Sequence, residues 1–149
     1  MRRTARLWLP VLLLLTLLIP GAAWADDAPV NLPEGDRAAI QTAIRSQIDA
    51  FRRDDGAAAF GFASPGIQQM FGDAGTFMQM VRRGYAPVYR PGAVAFGALV
   101  EMEGKPVQRV ELTAPDGTRD LALYFMEREP DGTWRIDGCM LVPSESVGA

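Results

Sequence analysis

The run Arg82-Arg83-Gly84-Tyr85-Ala86-Pro87-Val88-Tyr89-Arg90-Pro91 concentrates recognition chemistry in one short stretch. Arg82, Arg83 and Arg90 present planar guanidinium forks, which match carboxylate and phosphate oxygens two at a time. Tyr85 and Tyr89 add flat apolar rings, each with a hydroxyl at its tip. Together they describe a recognition lip for a small acidic or aromatic ligand. A plainer assignment stands beside it: the tyrosines pack in the core and the arginines pair with surface acids, of which the chain has 18. Arg109, mid-strand between apolar neighbours, is a further ligand-binding candidate; otherwise it pairs with Glu111 or Glu127 across the sheet. Asp137 and Tyr124 are weak catalytic candidates, the first as a base and the second as an oxyanion donor, on adjacent strands that bring them together if the register allows. Asp49 is a weaker base candidate, because between Ile48 and Phe51 it can equally point outward to Arg45 or Arg53.

Composition removes most other chemistry. The 149 residues contain no histidine and one cysteine, Cys139. Histidine-based triads, histidine general bases and His-rich zinc sites are therefore excluded. No Asp/Glu cluster has metal-ligand spacing, and the methionines fit helix packing better than a copper site, so neither metal nor cofactor is expected. Cys139 lies in an apolar run, which favours a buried, inert thiol over pairing with another molecule.

The N-terminus reads as an export signal. Arg2, Arg3 and Arg6 form a basic head, Leu7 to Ile19 an apolar stretch, and Ala23-Trp24-Ala25 a small-x-small cleavage pattern. Cleavage after Ala25 is expected, with a periplasmic or secreted location and no membrane attachment afterwards. The segment beyond Ala25 keeps twelve basic residues against eighteen acidic ones, net −6. That balance disfavours nucleic acid and anionic membrane surfaces.

The elements that must position these residues follow from periodicity. Residues 26–35 are polar and Pro-broken, which reads as a flexible leader. A single domain is expected over 36–142, and a polar tail over 143–149. Asp36 is the expected cap of a first helix carrying Ile40, Ile44, Ile48 and Phe51 on one face. Asp54-Asp55-Gly56 marks a turn, and Ala57 to Ala63 a short second helix. Ser64-Pro65 reads as a cap with proline at the first helical position, opening a third segment with Ile67, Met70 and Phe71. Phe77, Val81 and Tyr85 step along a fourth helix, after which Pro87 and Pro91 keep the chain extended. From Ala93 the period becomes two. Val94, Phe96, Ala98, Val100 and Met102 should share one face of the first of four strands. Gly104-Lys105, Asp116-Gly117 and Pro130-Asp131-Gly132 supply the turns of an antiparallel meander. Helices followed by such a sheet define an α+β fold. Both sheet faces carry apolar residues, which implies strong curvature, a partner on the outer face, or both.

This order resembles the cone-shaped fold of nuclear transport factor 2, the ketosteroid isomerases and the SnoaL-type polyketide cyclases. More closely, Ile48-Asp49-Ala50-Phe51-Arg52-Arg53-Asp54-Asp55, Phe62-Ala63-Ser64-Pro65, the run Met80 to Pro91 and Trp134-Arg135-Ile136-Asp137-Gly138-Cys139 resemble a family of exported bacterial proteins, the domain of unknown function numbered 4864. The resemblance implies N-terminal helices closing a curved sheet around a cavity, and no assigned activity. No residue matches the isomerase motif position by position. The leading expectation is a non-enzymatic small-ligand or protein-interaction module, with a homodimer through the sheet's outer face. The alternatives are an isomerase or cyclase using Asp137 with Tyr124 or Tyr85, and an accessory protein of a periplasmic complex.

Overall fold

The computed structural model describes residues 28–143. The expected signal segment with its cleavage point, and the expected tail beyond Pro143, lie outside the described residues. The described residues fold as five helices followed by four long antiparallel strands, the α+β arrangement that the periodicity predicts.

Helix α1, Glu34–Arg52, buries Ile40, Ile44, Ile48 and Phe51 almost completely. Each such side chain contributes about 1.5–3 kcal/mol when fully buried. The helix starts two residues before the expected cap. Pro33 occupies the N-cap position, and its carbonyl accepts the amides of Asp36 and Arg37. Asp36 is thereby released for a longer reach and accepts a 3.0 Å hydrogen bond from Trp134 Nε1. Part of the expected leader pairs with the sheet. Ala28–Pro29 forms a short strand, β1, against the next strand in the sheet. Arg37 then donates to the Val30 carbonyl at 2.6 Å.

Helices α2, Gly56–Gly61, α3, Pro65–Phe71, and α4, Ala74–Gly84, follow in quick succession. Each is capped by a side chain accepting a backbone amide at its start: Asp55 from Ala58, Ser64 from Ile67 and Asp73 from Thr76. Side-chain capping of this kind suits helices too short to stabilise themselves. At Gly56 a Cβ would lie 2.8 Å from Met78 Cγ, so the close approach of α2 to α4 requires glycine there. Residues Ala86–Tyr89 form a single further turn, α5, instead of extended chain. Pro87 falls in its first turn, where a missing N–H and a fixed φ cost nothing.

The strands are β2, Ala93–Met102, β3, Lys105–Thr113, β4, Arg119–Arg128, and β5, Trp134–Pro143. The sheet order is β1-β2-β3-β4-β5, with every pair antiparallel. The first hairpin turns on Glu103 and Gly104, both at positive φ (52° and 75°), as a two-residue hairpin loop demands. The other two hairpins use the same Pro-Asp-Gly-Thr sequence at 115–118 and 130–133. In each, the Asp carboxylate accepts the Thr amide at 2.9 Å.

Two irregularities decide which residues face inward. Between Phe96 and Leu99 the β2 register slips. The buried Gln108 side chain spans the slip, donating from Nε2 to the carbonyls of Gly97 and Arg109, both at 2.9 Å. The expected common face of β2 is consequently split. Val94 and Phe96 pack inward with the helices, while Val100 and Met102 join an outer cluster with Val107, Leu123 and Phe125. A second slip sets Phe125 opposite Gly138 but Met126 opposite Ile136, leaving Asp137 as the extra residue. The inner face, with Val110, Leu112, Ala122, Tyr124 and Met126, forms one core with the helices.

Candidate functional site

Between the inner face of the sheet and helices α1, α3 and α4 lies a cavity of about 380 Å3. Phe77 anchors its aromatic wall, with ring centroids 5.3 Å from Phe60, 5.6 Å from Phe71 and 6.1 Å from Phe51. Ile67, Met70 and Phe71 on α3 and Met80 on α4 complete the apolar wall on the helical side. Met70 is 73% exposed, and α3 buries none of its residues, so this short helix stands at the mouth rather than in the core. The polar groups of the wall are all uncharged side chains: Gln47, Tyr85, Tyr124 and Cys139.

Tyr124 is completely buried on β4 opposite Cys139. Among the described residues its hydroxyl has no hydrogen-bond partner of ordinary geometry. The Cys139 thiol is the polar group coupled to it. A thiol is a poor acceptor, so the contact leaves the hydroxyl under-satisfied. Burial pushes the Tyr124 phenol well above its usual range, with the cysteine adding to the shift. Burial likewise pushes the Cys139 thiol up to about 12. Although the residue as a whole is part-exposed, its sulfur is enclosed and unreactive at neutral pH. Tyr85, the C-cap of α4, borders the same cavity and donates from its hydroxyl to the Cys139 carbonyl at 3.1 Å. Its phenol is also raised, by burial first and Cys139 second.

The remaining residues of the basic-aromatic run face elsewhere. Asp54 sits in the left-handed region (φ 54°) just after α1 and gathers them. Its carboxylate accepts from Arg90 at 2.6 Å, from Arg82 at 3.4 Å and from the Tyr89 hydroxyl. Both guanidinium groups also lie near the Tyr89 ring, 4.9 Å (Arg90) and 5.7 Å (Arg82) from its centroid. This closed knot secures the α4–α5 corner to the end of α1. Arg83 is exposed and outside the cavity wall. Arg109 stands opposite Leu123, a member of the outer cluster, and so belongs to the other side of the sheet. Asp49 pairs with Arg52 at 3.0 Å, one helical turn away, rather than with Arg45 or Arg53. Arg45 instead stacks over Phe96, 4.8 Å from its centroid.

Asp137 and Tyr124 do not converge. The extra residue in β5 turns Asp137 away from the cavity, toward a shallow groove shared with Glu103, Lys105 and Met140. There it accepts a 2.6 Å hydrogen bond from the buried Ser64 hydroxyl and forms an ion pair with Lys105. Desolvation raises its pKa, but the hydrogen bonds from Lys105 and Ser64 outweigh that, and the net shift is downward. Neighbouring Glu127 is raised, by desolvation first and then by the Asp137 charge. Ser64 thus caps α3 and ties it to β5 through one hydroxyl. Sequence spacing identifies the cap but gives no sign of the partner 73 residues away. Gln47 and the α3 side chains were also invisible as wall residues, since apolar helical spacing reads the same for core and cavity.

Among the described residues, no group of three or more Cys, Asp or Glu side chains is arranged to hold a metal ion.

Fold and cavity together define an α+β module whose helices close over an antiparallel sheet and leave an apolar, uncharged chamber between them. The family profile of a domain of unknown function, DUF4864, matches residues 33–149, and the chain belongs to that family. No curated protein and no solved structure matches the chain.

Proposed function

We propose that this protein is an exported, non-enzymatic module that binds a small apolar molecule in the cavity between α3, α4 and the sheet. The observation that carries the reading is the cavity itself: about 380 Å3, walled by aromatic and aliphatic side chains with a few uncharged polar groups. Small-molecule sites have this size and character. The cone-fold kinship suggested by element order supports the same reading, because that architecture leaves a cavity under its helices. Export rests on the basic head, apolar stretch and Ala-Trp-Ala pattern of the first 25 residues. The isomerase or cyclase alternative loses its geometry, since its base and its oxyanion donor border different spaces.

The test is a titration with N-phenyl-1-naphthylamine, an uncharged dye that fluoresces in apolar surroundings. Wild type should show saturable, single-site enhancement, and Ile67→Trp, which fills the mouth, should weaken it at least tenfold. Enhancement that does not saturate, or that Ile67→Trp leaves unchanged, refutes the cavity as a binding site.

A second reading, a homodimer through the outer face, is favoured by one feature: Met140 is 52% exposed beside part-buried Phe125, Leu121 and Val142. Light scattering across micromolar concentrations should then give twice the chain mass; a constant monomer mass rejects it.

A further inference from the structure

We propose that the free edge of β5 receives an extended segment of a partner polypeptide as an added strand, and that one apolar side chain of that segment enters the neighbouring cavity. The inference rests on the cavity being a binding site and names the partner that fills it.

Three observations carry it. The first is which way the β5 backbone points. Strand β5 is the last in the sheet, so only its β4 side is paired along its length. Ile136, opposite Met126, turns its amide and carbonyl to the other side, where they meet the Phe62 carbonyl and the Ser64 amide. Met126, Tyr124 and Ala122 alternate along β4, so their partners Ile136, Cys139 and Leu141 all turn the same way, with Asp137 as the extra residue that keeps the phase. The Cys139 carbonyl agrees, since it accepts the Tyr85 hydroxyl from outside the sheet. Among the described residues, nothing pairs with the Cys139 amide or with the amide and carbonyl of Leu141. Strand edges invite further strands unless bulges, charges or proline blunt them. Here the bulge at Asp137 and Pro143, which has no amide hydrogen, bound a window, and residues 138–142 between them carry no charge.

The second is that the fold already uses this edge in the proposed way. Residues 62–64 run parallel to β5 and bridge Ala63 to Ile136. At Pro65 the chain turns off into α3, and an added strand takes up the edge from there.

The third is the position of the cavity. Gly138 and Cys139 belong to its wall, together with Tyr85 at the end of α4 and the exposed Met70 of α3 at the mouth. A residue added beside Cys139 points its side chain to the same face of the sheet as Cys139, which packs with the inner core. That direction leads to the cavity. A free apolar molecule leaves the outward amides and carbonyl unpaired, whereas an extended backbone matches their two-residue spacing. Main-chain pairing then supplies affinity and the pocket supplies specificity.

Four forms of one peptide test the proposal on the wild-type protein. The parent is Ac-Lys-Thr-Thr-Leu-Thr-Thr-Lys-NH2. The second has alanine for the leucine, and the third and fourth are N-methylated on one or the other set of alternate amides. The parent should displace N-phenyl-1-naphthylamine from the cavity and slow hydrogen exchange at the Cys139 and Leu141 amides, with the Met140 amide, which faces β4, as the unaffected reference. The alanine form should bind about tenfold more weakly. One N-methylated form should lose about five- to tenfold and the other little, because only alternate amides of a strand face its neighbour. Dye binding that the parent peptide does not displace overturns the inference while the cavity reading stands. Displacement that neither N-methylated form weakens, or without slowed exchange at Cys139 and Leu141, also overturns it, since the side chain then binds without strand pairing. Slowed exchange with equal affinity for the leucine and alanine peptides removes the cavity from the site and overturns the two-part arrangement. Protection of the two amides before any peptide is added assigns the edge to a second copy if the mass is that of a dimer, or to the chain itself if it is that of a monomer, and either result overturns the proposal. If neither dye nor peptide binds, the cavity reading falls and this inference with it.

Discussion

Two regions lie on either side of Tyr85, and they teach opposite lessons. The corner around Asp54 holds Arg82, Tyr89 and Arg90, the residues best suited by type to recognise a ligand, and all three are occupied by one carboxylate. The cavity holds mostly side chains that look like ordinary core, yet between them they leave an open space of about 380 Å3. Recognition chemistry in a sequence is thus a weak guide where a matching group lies within reach. Asp54 serves here because it follows the last turn of α1 in a left-handed conformation that Asp tolerates well. In that position it faces both Arg82 on α4 and Arg90 after α5. Tyr85 divides the regions: Arg82 and Arg83 precede it on the last turn of α4, while its own ring points to the chamber.

The sharpest way to break the comparison is at the aromatic hub. Phe77→Ala should destabilise the fold by about 3–5 kcal/mol, the usual cost of removing a buried phenyl ring. Urea denaturation checks this, and a change below about 1 kcal/mol would show that the cavity wall is not also core.

Next in size is the latch between α3 and β5. Asp137→Ala should cost about 1–3 kcal/mol, because the buried Ser64 hydroxyl loses its acceptor and Lys105 its partner. The effect depends on pH. Asp137 has a lowered pKa in the folded state. Its stabilisation is therefore complete above the unfolded value and disappears as pH falls through the lower, folded value. The stability gap between wild type and Asp137→Ala should accordingly hold at neutral pH and close only in strong acid. Glu127 acts in the opposite sense: with its pKa raised, its ionisation removes stability as pH rises through the folded value. A gap that closes already near neutrality would contradict the assignment.

The smallest effect is expected at the knot. Asp54→Asn keeps the left-handed conformation accessible and removes only the charge. Its partners are about half exposed, with side-chain exposures of 46% for Arg82 and 54% for Arg90. The loss should be about 0.5–1 kcal/mol, weakening further in high salt. Dye binding in the cavity should not change.

What could be read from the sequence was what local chemistry decides. The two Pro-Asp-Gly-Thr hairpins, the Ser64-Pro65 cap and the apolar face of α1 each follow from a few adjacent residues. The irregular features depend on distant partners. Nothing near Gly97 announces that Gln108, on the next strand, will bridge a slipped register and send Val100 to the other face. The same holds for Asp137, whose orientation follows from one extra residue in β5 rather than from its neighbours. The α5 turn shows proline acting as a helix start where an extended chain was the simpler expectation. The cavity was expected from the family resemblance alone, and its lining was hidden, since spacing records which side chains point inward but not whether they meet.

Methionine-methyl NMR gives the most direct comparison of the two regions. Met70 and Met80 border the cavity, whereas Met102 and Met140 lie on the outer face or its rim, and the Nε–H signals of Arg82 and Arg90 report on the knot. Titration with N-phenyl-1-naphthylamine should shift Met70 and Met80 together to saturation and leave the arginine signals in place. Shifts at Arg82 and Arg90 with the two cavity methionines unmoved would contradict the account.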